Sequence, residues 1–65
     1  MKLLINGEKH DLEVTQLDEV VAYFELEAHL VVTELNGEII EQEKRSSVQL
    51  IPESTIELVH FVGGG

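Results

Sequence analysis

Apolar residues in this chain fall into short runs separated by turn residues, and their spacing changes from one run to the next. Leu3-Leu4-Ile5 is followed by Asn6-Gly7, and between Glu8 and Val14 the positions His10, Leu12 and Val14 recur at period two. Two extended runs across an Asn-Gly pair, which tolerates positive φ, predict a β-hairpin. The period then lengthens. Leu17, Val20, Val21 and Phe24 stand at i, i+3, i+4 and i+7, one face of a helix, and Thr15-Gln16-Leu17-Asp18 matches the Ser/Thr-x-x-acid start signal. A short amphipathic helix over 16–24 is expected, with Asp18, Glu19 and Glu25 on its polar face and two acids in the first turn, where they favourably oppose the helix dipole.

A β-branched run, Leu30-Val31-Val32-Thr33-Glu34-Leu35, predicts a third strand, stopped by a second Asn-Gly at Asn36-Gly37 and returning as Glu38-Ile39-Ile40. The polar stretch from Glu41 to Ser47 reads as loop, Val48-Gln49-Leu50 as another short strand, and Pro52-Glu53-Ser54 as a turn. Thr55 to Val62 is the longest strand candidate. Several strands and one helix cannot bury their faces as separate layers, so the economical arrangement is an α+β fold, one mixed β-sheet packed over one helix. The expected core is Met1, Leu3, Ile5, Leu12, Val14, Leu17, Val20, Val21, Phe24, Ile40, Leu50, Ile56 and Leu58.

Composition narrows the function classes. At 65 residues the chain has room for one small domain, which buries only about 60% of its unfolded surface. Thirteen acids against four bases give a net charge of −9. Nucleic-acid binding draws most of its nonspecific free energy from Lys and Arg, and only Lys2, Lys9, Lys44 and Arg45 are present. Neither nucleic acid nor an anionic membrane is expected as a partner, and no apolar run approaches the roughly 18 residues of a spanning helix. The first seven residues turn at once and do not read as a signal peptide. The absence of Cys excludes disulfides, thiolate metal sites and a cysteine nucleophile, and suits the cytoplasm. The charge favours basic protein partners through complementary fields.

Catalytic constellations are missing from the sequence. His10, His29 and His60 are nowhere paired at i, i+3 or i+4, so no metal site is expected. The acids are spread over every segment, as solvated faces are, and Ser46, Ser47 and Ser54 have no histidine base beside them. No enzyme activity is expected of the chain alone. The unusual feature is the ending, Val59-His60-Phe61-Val62-Gly63-Gly64-Gly65. Terminal glycines are commonly a featureless end. The alternative is that backbone without Cβ atoms threads a narrow channel and presents the Gly65 carboxylate to another protein's active site. The order Leu58-Val59-His60-Phe61-Val62 breaks strict alternation, so Val59 and Phe61 are expected to face outward, opposite Ile56 and Leu58. An exposed aromatic beside such a tail is a natural partner anchor, unless a neighbouring loop covers it.

End to end, the chain resembles the ThiS family of thiamine-biosynthesis sulfur carriers, within the ubiquitin-like β-grasp superfamily. The resemblance is carried by Leu3-Leu4-Ile5-Asn6-Gly7, the helix residues Leu17, Val20 and Val21, the hairpin from Val32 to Ile40, and above all the ending from Ile56 to Gly65. It implies a β-grasp domain over residues 1–62 and a flexible glycine tail over 63–65. It further implies adenylation of the Gly65 carboxylate, conversion to a thiocarboxylate, and donation of that sulfur for thiazole formation. The partners implied are an adenylating enzyme of the ubiquitin-activating type that uses ATP and magnesium, a sulfur donor such as a cysteine desulfurase, and thiazole synthase. Gly63, Gly64 and Gly65 would enter the partner's active site, Val59, Phe61 and Val62 would bind partners, and the chain itself would hold no cofactor. Relatives often place Gly-Asp where this chain has Glu53-Ser54. A molybdopterin-type sulfur carrier, a ubiquitin-like modifier joined to lysines and a plain β-grasp interaction module remain as alternatives.

Overall fold

Both Asn-Gly pairs reverse the chain in two residues. Asn6 and Gly7 take φ of 49° and 79°, and Asn36 and Gly37 take 50° and 88°, the left-handed values that tight hairpin turns require. Residues 1–61 are described by the computed structural model. Across the first turn β1 (Lys2–Ile5) pairs antiparallel with β2 (Glu8–Asp11), and across the second β3 (Val31–Leu35) pairs antiparallel with β4 (Glu38–Ile40). The last strand, β5 (Thr55–His60), lies between the two hairpins, parallel to β1 and antiparallel to β3. The sheet order is therefore β2-β1-β5-β3-β4, a mixed sheet with the final strand at its centre. No helix is long and apolar enough to cross a membrane among the described residues.

One helix, α1 (Leu17–Tyr23), buries Leu17, Val20 and Val21 with Leu3, Ile5, Ile56 and Leu58 of the sheet. It is shorter by one residue at each end than the periodicity predicts, because Gln16 and Phe24 are its caps. The acid that closes its N-terminus is Glu19 rather than Asp18. The Glu19 carboxylate accepts from the Thr15 hydroxyl (2.8 Å) and from the backbone N–H groups of Thr15 (3.1 Å) and Gln16 (2.9 Å). At the other end Leu26 N–H bonds Val21 C=O and Glu25 N–H bonds Ala22 C=O, a Schellman closure in which Glu25 takes φ 55° where glycine is usual.

Four sequence expectations change. The second strand stops at Asp11, three residues short of Val14, where its pairing with β1 ends: β1 begins at Lys2, and the last exchange of hydrogen bonds is between Leu12 and Met1. Leu12 and Val14 are buried all the same. Residues 48–50 form no strand, only a bridge between Gln49 and Gln16, since the segment they meet turns at once into α1. The polar stretch read as loop is a 3₁₀ segment, Gln42–Ser47, and a further 3₁₀ turn, Ala28–Leu30, leads into β3. Finally, Met1, Phe24 and Ile40 are half-buried at the rim of the core, which contains Val31 instead.

The 3₁₀ segment places Arg45 in the interior, 4% exposed. Its guanidinium donates to Thr33 Oγ1 (3.1 Å), Ala28 C=O (2.9 Å) and Val31 C=O (2.6 Å). Burial lowers its pKa below the ordinary arginine value, an effect that the charge of Glu43 opposes.

Candidate functional site

Strand alternation divides β5 between two faces. Ile56 and Leu58 point into the core, whereas Glu57, Val59 and Phe61 point away from α1. Val59 is 54% and Phe61 56% exposed, so the two apolar side chains predicted to face outward do so, and no loop among the described residues covers them. Register extends this surface across the sheet. Val32 lies directly opposite Val59, and Glu34 opposite both Glu57 and Ile39, the last 65% exposed. The open face around Val59 and Phe61 is thus an apolar strip bordered by paired carboxylates, a surface for an apolar partner rimmed with basic groups.

Hydrogen bonds to its backbone hold β5 in place. Phe61 N–H donates to Leu30 C=O at 2.7 Å, just past the last residue of β5. On the opposite edge β1 is too short to accompany β5 to its end, and the side chain of Asn6 takes over: Oδ1 accepts from Leu58 N–H at 2.8 Å and Nδ2 donates to Leu58 C=O at 3.3 Å. At the start of β5, Asn36 Oδ1 accepts from Thr55 N–H (2.9 Å). The sequence marks both asparagines as turn formers and gives no sign of these second roles, because the strand they hold lies 19 or 52 residues away. The turn before β5 is held by Glu53 N–H on Lys2 C=O (2.7 Å) and by the Ser54 hydroxyl on Ile51 C=O (2.7 Å). Glu53 takes φ 71°, the left-handed region that glycine adopts without a Cβ penalty.

The remaining predicted site residues, Val62, Gly63, Gly64 and Gly65, lie outside the described residues. The histidines occupy separate settings. His10 packs edge-on against Phe24 with ring centroids 5.4 Å apart, His29 is exposed, and His60 has its Nε2 buried without a hydrogen-bond partner among the described residues. His10 and His60 border one groove of about 270 Å³ with Leu58 and Leu26. Among the described residues no three His, Asp or Glu side chains come together as a metal site.

The ThiS family model matches residues 3–65. The chain belongs to the ThiS family. It is 38% identical to the sulfur carrier protein ThiS of Bacillus subtilis (strain 168), over 97% of this chain and 98% of that one. A thiazole synthase of Magnetococcus marinus contains a matching stretch, 33% identical over all of this chain but only 20% of that protein. Crystal and solution structures of the thiamine biosynthesis protein ThiS from Geobacter metallireducens superpose with TM-scores of 0.82 and 0.81 at 28% identity. Both cover the whole of this chain, and 100% and 88% of theirs. The mixed sheet over one helix is accordingly the ubiquitin-like β-grasp fold that ThiS proteins share.

Proposed function

We propose that this ThiS-family chain is a sulfur carrier of thiamine biosynthesis whose reactive group is the carboxylate of Gly65. The observation that carries the reading is the end-to-end match to a ThiS sulfur carrier, glycine ending included. The stretch like this chain within a thiazole synthase supports that enzyme as the acceptor.

The chemistry follows from the weak electrophilicity of a carboxylate. A Gly65 oxygen attacks the α-phosphorus of ATP on a partner adenylating enzyme, with magnesium there, and pyrophosphate leaves. A sulfur nucleophile from a donor then attacks the acyl-adenylate and AMP departs. With a persulfide donor the adduct is an acyl disulfide; a thiol attacks the donor's sulfur, the S–S bond breaks with formation of a new disulfide, and the thiocarboxylate leaves as a soft anionic nucleophile that stays attached to protein for thiazole synthase. The chain contributes recognition through Val59, Phe61 and Val62 and a substrate through Gly65, while Gly63 and Gly64 fit a channel shaped for backbone. The partner supplies the catalysis.

Incubation with ATP, magnesium, an adenylating enzyme of the ubiquitin-activating type and a sulfur donor should raise the mass of the C-terminal fragment by sulfur replacing oxygen. The fragment is measured because oxidised Met1 gives nearly the same increment in the intact chain. A fragment of unchanged mass, with the enzyme active on its own carrier, would sink the reading.

A further inference from the structure

The parallel ladder between β1 and β5 advances by two residues per rung, from Leu4 N–H on Ser54 C=O to Asn6 N–H on Ile56 C=O, each at 2.9 Å. The groups due next are the Asn6 carbonyl for Leu58 N–H and the N–H of residue 8 for Leu58 C=O. The left-handed turn at Asn6 and Gly7 carries both away into the hairpin, where Glu8 pairs with Ile5. A carboxamide has the acceptor and the donor of one peptide group, and that of Asn6 meets both atoms of Leu58. Asn6 therefore extends β1 by one rung with its side chain.

We propose that Asn6 is a positioning residue for delivery of the carboxyl terminus: its carboxamide grips β5 three residues before Phe61 and fixes how Val59 and Phe61 are presented. This rests on the carrier reading. Without the grip, the end of β5 is held along one edge only, by β3 and the Phe61–Leu30 hydrogen bond. The docking geometry then becomes one of several that the strand samples. A carrier competent in only a fraction of its population docks with affinity reduced by that fraction. The loss falls on KM, and kcat, set after docking, is untouched.

Asn6→Gly removes the carboxamide while leaving a residue at ease with positive φ, and Asn36→Gly makes the matched change at the far end of β5. Asn6→Asp, the conservative variant, keeps the acceptor for Leu58 N–H and the Asp-Gly turn chemistry. Adenylation of the carrier, followed as pyrophosphate release well below every variant's unfolding midpoint, should show KM raised about tenfold in Asn6→Gly with kcat within about twofold. Asn6→Asp, which keeps the acceptor but not the donor, should recover only part of that loss, and Asn36→Gly should leave KM within about twofold of wild type while lowering the unfolding midpoint. Without any partner, amide exchange at Val59 and Phe61 should quicken in Asn6→Gly and not in Asn36→Gly. A wild-type KM in Asn6→Gly, an equal rise in Asn36→Gly, or unchanged exchange at Val59 and Phe61 would each overturn the proposal. A wild-type chain that is never adenylated would overturn the carrier reading instead, and the exchange measurement would then decide the grip.

Discussion

Arg45 ties three parts of the chain together with one planar group, since its three acceptors belong to the 3₁₀ turn before β3 and to β3 itself. No carboxylate pairs with it among the described residues, so its stabilising role is that of a donor to neutral oxygens. Arg45→Met fills similar space but leaves Ala28 C=O, Val31 C=O and Thr33 Oγ1 without that donor. It should cost about 2–4 kcal/mol in a urea unfolding experiment, close to the whole stability of so small a domain. A loss under about 1 kcal/mol would mean that water replaces the guanidinium readily. Nothing in Glu41 to Ser47 distinguishes Arg45 from its solvated neighbours, because the pattern that buries it lies in the partners it reaches. Phe61 is the opposite case, legible from a broken alternation. Phe61→Ala should weaken binding to the adenylating enzyme by about 1–3 kcal/mol, measured by titration calorimetry, with the fold intact.

At the scale of elements, the helix was predictable from its apolar stripe, but its ends were not, because caps depend on which neighbouring groups come within reach. Glu25 closes α1 in the left-handed region, where a side chain is strained, and it adds a negative charge at the negative end of the dipole. Glu25→Gly should raise stability by about 0.5–1 kcal/mol, read as a higher urea midpoint at constant slope; a lower midpoint would place the strain elsewhere. At the other end, hydrogen bonds led by the Thr15 hydroxyl hold the Glu19 pKa below its ordinary value of 4.5. A pKa lowered on folding gives stability that is complete above 4.5 and is lost as pH falls through the folded value. The stabilities of wild type and Glu19→Gln should therefore differ at neutral pH and converge in acid, and parallel pH profiles would exclude the carboxylate as the source. The second strand and residues 48–50 show the same limit for sheets. Their residues suit strands, yet pairing extends only as far as a partner does.

Over the whole molecule, the mixed sheet over one helix was readable from the order of runs and turns, whereas the central place of β5 emerges only from long-range pairing. The carboxylates opposed across the open face, Glu34 and Glu57, belong to a chain of net charge −9. Encounter with a basic partner surface should then be steered electrostatically, and its association rate should fall by about tenfold or more between low and high salt in stopped-flow measurements. A salt-independent rate would leave the apolar strip as the sole determinant of encounter.

The central position of β5 also governs how the chain comes into being on the ribosome. The hairpins β1–β2 and β3–β4 share no rung until β5 lies between them, and β5 is the last strand in the described residues to be synthesised. A nascent chain lacking that strand has two isolated hairpins, each marginal in water, and one helix with half its binding surface missing. Folding therefore waits for synthesis of β5, so a chain interrupted before that strand has neither a stable fold nor the apolar strip that Val59 and Phe61 form.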